Sequence, residues 1–435
     1  MNDGIDNHRE HHRDKRSNNH SGDKRDVIII GGGVVGTACA VELARQGASV
    51  TILEKDQVGQ GCSYGNAGWL THSQAVPLAA PGLIWKAAHW MFDPESPLYI
   101  PFRLDPALIS WLFNFLLATR RERFERGTAA LVEMCRWSVD AWEEFAIHTG
   151  DTFDYGRKGL LAIYESPASL AAGRQRAALV AKFGAPSEVW SAEKVRELEL
   201  AVVGPQVGGI LYPDDAQCEP FMAVEAVAAE AQRLKVKIVE RCEVTDFERT
   251  NGKVSSVVTS RGKFTANEVV LAAGTWSKAL ARKTGIRIPM LGARGYSVVM
   301  PHPQVTPSRS ILLADRKIAV TPHEARLRIA GTLELVDDDF SINQRRVNAI
   351  VRGAQKMLTI PSPLREHEVW CGLRPCTPDG MPVIGRAKGY RNLWLATGHQ
   401  MVGLKAAPGT ARLLVDLMTG AKPTFDPAPF TAERY

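Results

Sequence analysis

Three glycines at the end of an apolar run have a spacing that can do chemistry. Gly31, Gly33 and Gly36 form G-x-G-x-x-G directly after the run Asp26–Ile30. In such a loop the first glycine permits a tight turn, the second lets backbone approach a pyrophosphate, and the third lets the next helix pack closely on the strand. Val34 and Val35 open that helix, so its free amides and positive dipole end face the phosphates. Glu54 closes the following apolar run, where a carboxylate accepts hydrogen bonds from ribose hydroxyls and disfavours a 2′-phosphate. The chemistry expected is therefore the binding of FAD or NAD rather than NADP, and this stretch does not separate those two.

Positioning these residues requires a strand over Asp26–Ile30, a helix from Val34 to Gln46 ended by Gly47, and a second strand over Ser49–Leu53. The loop after Glu54 contains GQGCSYGNAGWL. Small residues at that density point to backbone lying close to a ligand, which makes Ser63, Asn66, Ala67 and Gly68 candidate cofactor contacts.

A chain of 435 residues, 45% hydrophobic and 23% charged, is globular and long enough for two lobes. Its net charge of +6 is spread without a basic block, so nucleic acid is not an expected partner, whereas an acidic small molecule or an anionic membrane surface is compatible. The seven cysteines form neither C-x-x-C nor a zinc spacing. No metal site is expected, and the pattern suits reduced thiols in a cytoplasmic protein. Residues 1–24 are polar, with four histidines and no apolar core, and read as a disordered tail rather than a secretory signal. No apolar run reaches the length of a membrane span. Leu108–Ala118, followed by Arg120, Arg121 and Arg123, has two readings: a buried helix, or an element lying on the inner face of the cytoplasmic membrane with Trp111 and Phe115 at the interface.

Further helices are expected at Pro81–Trp90, Asp105–Arg123, Thr128–His148, Ser169–Phe183, Ser191–Glu199, Phe221–Leu234 and Asn343–Met357. Gly208–Pro220 reads as turn. Glu243–Arg249 and Val254–Ser260 read as a β-meander, and Gly159–Tyr164, Gly292–Met300, Lys317–Thr321 and Arg326–Leu333 as strands of a second, antiparallel sheet. Near the end, Asn392–Thr397 and Ala406–Thr419 flank a glycine-broken turn, another strand–turn–helix.

Four segments together carry a resemblance: IIIGGGVVG with RQGASVTILE, then VVLAAGTWS, GLRPCTPDGMPVIG and LATGHQMVGLKAAPGTARLL. Spanning residue 26 to about 420, they resemble the FAD-dependent amino-acid oxidoreductases related to D-amino-acid oxidase, glycine oxidase and sarcosine oxidase. SYGNAGWL, VPLAAPG and DPESPLYIPFRLDP are most similar to the bacterial D-amino-acid dehydrogenases and their hydroxyproline relatives.

The resemblance, not composition, selects FAD over NAD, bound noncovalently because neither Cys371 nor Cys376 stands in the register of a flavin-linking cysteine. It implies an α/β fold: an FAD-binding Rossmann-like domain (residues 25–75, 200–285 and 358–435) with an α+β substrate domain on an antiparallel sheet (76–199 and 286–357). It adds Val244, Ala273, Gly274, Trp276, Gly398, Met401, Val402, Gly403 and Leu404 to the cofactor contacts, with Lys405 assisting. It makes Arg374, in G-L-R-P, the anchor of a substrate carboxylate, since a guanidinium grips a carboxylate with two parallel hydrogen bonds. Tyr296 is expected to add a hydroxyl there, and His399 to lie near the flavin ring. The implied reaction is removal of hydride from the Cα of a D-amino acid, with electrons passed to a quinone or another carrier. A D-hydroxyproline or other secondary-amine dehydrogenase or oxidase, and a flavoprotein subunit of a larger dehydrogenase, are the alternatives.

Overall fold

The computed structural model describes residues 25–82, 98–100, 105–364 and 367–435. The tail and nearly all of the helix expected from Pro81 fall outside them. Asp26–Ile30 is the centre of a six-stranded sheet, ordered Val383–Arg386, Leu393–Thr397, Glu268–Leu271, Asp26–Ile30, Ser49–Leu53, Lys237–Val239. All neighbours run parallel except the first pair. Val27 to Ile30 are buried, as an all-apolar β-branched run demands when both faces of a parallel strand are covered. The helix Val34–Arg45 lies on this sheet beside the C-terminal helix Gly403–Thr419, and Cys39, Leu43, Ala407 and Leu414 belong to one buried cluster. The expected meander forms its own sheet of Val244–Thr250, Lys253–Thr259 and Gly262–Phe264.

The second sheet has nine strands, with the path Glu368–Cys376, Leu291–Pro301, Arg326–Leu335, Ile318–Pro322, Ser310–Leu313, Leu160–Tyr164, Gly208–Tyr212, Glu188–Ser191, and with Leu98–Tyr99 beside Arg326–Leu335. It is mostly antiparallel; Ser310–Leu313 runs parallel to Leu160–Tyr164. One face is sealed by the helix Gln344–Met357, through Val320, Ile329, Val347 and Ile350. The other face looks toward the glycine turn across a large cavity.

Three expectations shift. Gly208–Tyr212 is a strand, not turn, because Gly208 and Gly209 sit where a Cβ would meet the Trp190 carbonyl and the Leu161 side chain. That strand and Glu368–Cys376 belong to the nine-stranded sheet, although the expected boundaries put them with the dinucleotide domain. The helix expected over Asp105–Arg123 breaks at Arg120, whose backbone is extended, and a new helix runs Arg121–Thr149. Trp111 is 3% exposed and donates to the Cys376 carbonyl at 3.0 Å, and Phe115 stacks on it; the outward side chains are Ile109, Phe113 and Leu116.

The tightest joint is between the turn and its helix: a Cβ on Gly36 would lie 2.0 Å from the Gly31 carbonyl oxygen. Gly36→Ala must therefore push the helix off the strand, at about 1–3 kcal/mol. The expected outcome is a lower thermal unfolding midpoint and loss of bound FAD on gel filtration; full FAD retention at unchanged stability would contradict this packing.

Candidate active site

The cavity has a volume of about 1760 Å³ and is lined by both sheets. At one wall stand Gly31, Gly33, Val34 and Val35. Gly31 has φ +108°, a left-handed value that favours glycine, and a Cβ there would strike the Ala272 carbonyl at 2.6 Å. The first turn of Val34–Arg45 carries no acidic residue, and Gly33 offers no side chain to cap it. Its amides are therefore compatible with an anion. Ser63 Oγ accepts from Val34 N at 3.1 Å. Glu54 takes Gly32 N at 2.7 Å and Asp56 N at 3.0 Å, so the carboxylate clamps the glycine turn while lining the cavity. Asn66 ties its own loop by bonding Ser63 O and Gly68 N, and the Ala67 carbonyl accepts from Thr321.

Val244, Ala273, Gly274 and Trp276 line the same space; Trp276 is stacked on Phe340, with Lys55 over its ring at 4.4 Å. Met401, Gly403 and Leu404 line it from the start of the last helix, whose N-terminus also lacks a capping side chain and an acid. Four expected contacts do not reach the cavity. Gly36 is buried against Gly31, Gly68 against the Cys218 carbonyl, and Gly398 against Thr377, while Val402 is a buried residue at the helix start. They shape the site through backbone rather than touching its contents. Lys405 lines the cavity, but its ammonium is held on Thr71 Oγ1 at 2.7 Å, and burial lowers its pKa.

Arg374 comes from the strand Glu368–Cys376 and lies against Gly295 of the neighbouring strand, where a Cβ would meet Nη1 at 1.9 Å. Nη1 donates to the Thr332 carbonyl at 2.9 Å. No carboxylate pairs with Arg374 among the described residues, and burial lowers its pKa. A cation lining an apolar-rich cavity with one backbone acceptor retains donors for an anion. Cys62 packs nearby with its thiol on the Leu373 carbonyl; burial raises that thiol to about 11, so it is a poor nucleophile.

His399 lines the cavity and pairs through Nε2 with Thr410 at 3.0 Å. Burial pushes it down to about 3, so the ring is neutral at neutral pH.

Tyr296 is among the residues lining the cavity, but its hydroxyl is turned away from it. Its ring lies in the cluster under Gln344–Met357, and its hydroxyl donates to Glu334 Oε2 at 2.6 Å and accepts from Asn343 N. Alternation explains this: neighbours on a strand face opposite sides, and Gly295 is the residue facing Arg374. Glu334 also binds Arg294 at 2.9 Å and Arg346 at 2.7 Å, all three nearly sealed from solvent. This buried group braces the two strands that supply Gly295 and Thr332. Gly295, Thr332 and Glu334 were not singled out by sequence reasoning; GARGYS and TLEL carry no spacing that announces them.

A glycine cradle, two helix N-termini facing one cavity and an arginine lining it suit the binding of a dinucleotide and a small anion. The comparisons make the class particular. A family model described as FAD dependent oxidoreductase matches residues 26–417. The D-amino acid dehydrogenase of Chromohalobacter salexigens is 32% identical over 419 residues, covering 94% of this chain and 99% of that protein. That of Rhizobium rhizogenes is 31% identical, with the same coverage. The glycine oxidase structure from Geobacillus kaustophilus superposes with a TM-score of 0.76 at 23% identity, covering 94% of this chain and 99% of that one. The chain belongs to the FAD-dependent oxidoreductase family, and its cofactor is FAD.

If the Tyr296 hydroxyl serves Glu334, Tyr296→Phe removes one buried hydrogen bond, worth about 1–2 kcal/mol. It should lower the thermal unfolding midpoint and leave the substrate KM within about threefold. A rise in KM of tenfold or more at unchanged stability would return that hydroxyl to the substrate.

Proposed function

We propose that this protein oxidises a D-amino acid at its α-carbon, holding the substrate carboxylate on Arg374 and passing the electrons to a membrane quinone. The observation that carries the reading is Arg374 itself, a desolvated guanidinium facing the cavity without a carboxylate partner among the described residues. The D-amino acid dehydrogenase relatives, matched over nearly their whole length, support the substrate class.

FAD, bound noncovalently, supplies the hydride acceptor. The chain's own part is positional. Gly295 gives Arg374 room to reach the cavity, and the Thr332 carbonyl fixes one arm of the fork, so the remaining N–H groups set where a carboxylate sits. Neutral His399 adds no charge beside the α-amine, which must lose its proton before hydride leaves. The imino acid product then hydrolyses in water, so no dedicated acid–base residue is required.

For the acceptor, the supporting feature is the apolar end of the cavity. Pro77, Leu78, Leu98 and Phe124 line it, and Leu78 and Leu98 pack with Leu108 and Trp111 of the helix Pro106–Ala118. The outward face of that helix carries Ile109, Phe113 and Leu116, each at least half exposed, followed by exposed Arg120, Arg121 and Arg123. An apolar face with an arginine border suits the lipid interface. No described helix is long and apolar enough to cross a membrane.

Two outcomes are expected. Arg374→Met should raise the amino-acid KM roughly hundredfold while FAD stays bound, the loss of a charge-assisted bidentate contact of about 2–3 kcal/mol; unchanged kinetics would sink the anchor assignment. Phe113→Asp should cut co-sedimentation with phosphatidylglycerol vesicles by about tenfold and leave turnover with a soluble acceptor intact. Equal vesicle binding by both proteins would remove this helix as the membrane face.

A further inference from the structure

The cavity does not end at Arg374. On the sheet face opposite the helix Gln344–Met357, apolar side chains, three of them alanines, cross the strands in register: Ala330 pairs with Ala319, Ala319 with Leu312, and Leu312 with Ala162. Ala330, Ala319 and Leu312 line the cavity. They floor a trough from Gly295, beside Arg374, to Tyr164 on the strand Leu160–Tyr164. That strand lies five places from the Arg374 strand in the sheet, roughly 24 Å at about 4.8 Å per strand. One amino acid cannot touch both ends.

At the far end, Tyr164 and Tyr212 stand on adjacent strands, 3% and 1% exposed; Tyr164 lines the cavity, Tyr212 does not, and neither hydroxyl has an acceptor for its proton. Burial raises both phenols, Tyr212 to about 12, and Arg176 opposes that rise in each case through its charge and a hydrogen bond to the phenol oxygen. Arg176 comes from the helix Pro167–Ala181 and lines the cavity. Its Nε is likewise buried and unpartnered, and no carboxylate pairs with it among the described residues. One turn earlier, Gly173 makes room: a Cβ there would lie 2.3 Å from the Tyr164 hydroxyl oxygen. The acid at this end, Asp315, is engaged by Glu165 N at 2.9 Å and Ser169 Oγ at 3.0 Å. Exposed Gln175 and Lys182 line the same end, which therefore opens outward.

A guanidinium with only neutral phenol oxygens beside it, and the Tyr164 O–H without an acceptor, form a desolvated donor set at the cavity wall. A carboxylate satisfies it with two oxygens and a compensating charge. A neutral ligand would leave the cation unpaired, and a cation would be repelled.

We propose that Arg176 and Tyr164, backed by Tyr212, form a second carboxylate site, a way-station that captures the incoming amino acid at the polar end of the cavity before it travels the trough to Arg374. The proposal rests on the amino-acid reading above. It separates the two reactants by polarity: the amino acid enters over Arg176, and the apolar acceptor beside Leu78 and Leu98, the latter paired with Leu333 on a strand three places from that of Tyr164.

The test uses the FAD-loaded protein with acetate as the probe. In the Arg374→Met background, acetate should produce a saturable ultraviolet difference signal from tyrosine, and Arg374→Met/Arg176→Gln should abolish it. With Arg374 intact, Arg176→Gln should lower kcat/KM for the amino acid about five- to tenfold and flatten its dependence on ionic strength. The rate of flavin reduction at saturating amino acid, and the quinone KM, should hold. Tyr164→Phe should give a smaller loss of the same kind. An acetate signal that survives Arg176→Gln, no signal in Arg374→Met, or an unchanged kcat/KM would overturn the proposal. If no amino acid reduces the wild-type flavin while the acetate signal is present, the substrate reading fails and the carboxylate site stands without its entry role.

Discussion

A guanidinium pressed against Gly295, donating to the Thr332 carbonyl and paired with no carboxylate among the described residues, is costly to bury. Much of the second sheet is arranged around that cost. Gly295 clears space that a Cβ would fill. Its neighbours on the strand, Arg294 and Tyr296, point the other way into a buried group with Glu334 and Arg346. The polar residues on one face thus hold still the backbone that seats Arg374 on the other. On the proposed reading, the missing counter-charge arrives with the substrate.

The dinucleotide half was legible because its signals are local. Gly31, Gly36 and the apolar run Asp26–Ile30 act within one βαβ unit and sit where their spacing implies, while Glu54, after the second strand, holds the Gly32 and Asp56 amides. The second sheet was less legible because its strands come from distant parts of the chain. Gly208–Tyr212 reads as turn from its glycines, and is a strand because those glycines let Trp190 and Leu161 approach. Leu108–Ala118 reads either as a buried helix or as an interfacial one, and for Trp111 the choice is made by the Cys376 carbonyl, far along the chain, which takes its indole N–H inside. Tyr296 borders the cavity as its position implies, but its hydroxyl is taken by Glu334 and Asn343, and the register that brings Glu334 there is revealed by no local pattern.

One cavity therefore joins three chemistries. A glycine turn and two helix N-termini suit a dinucleotide, Arg374 suits a small carboxylate, and the apolar segment near Leu78 continues into a helix with a lipid-like outer face. Cysteines lie close by, but burial raises Cys62 and Cys371 to about 11 and Cys376 to about 12, which keeps them as thiols. On the proposed reading, the chemistry is left to the flavin, with the chain supplying position and charge.

Anaerobic mixing of the FAD-loaded protein with a panel of D-, L- and N-substituted amino acids tests the central claim most directly. The account predicts bleaching of the flavin absorbance by one or more D-amino acids and none by the same compounds with the carboxylate amidated. Bleaching that is indifferent to the carboxylate, or a flavin that stays oxidised across the whole panel, would contradict it.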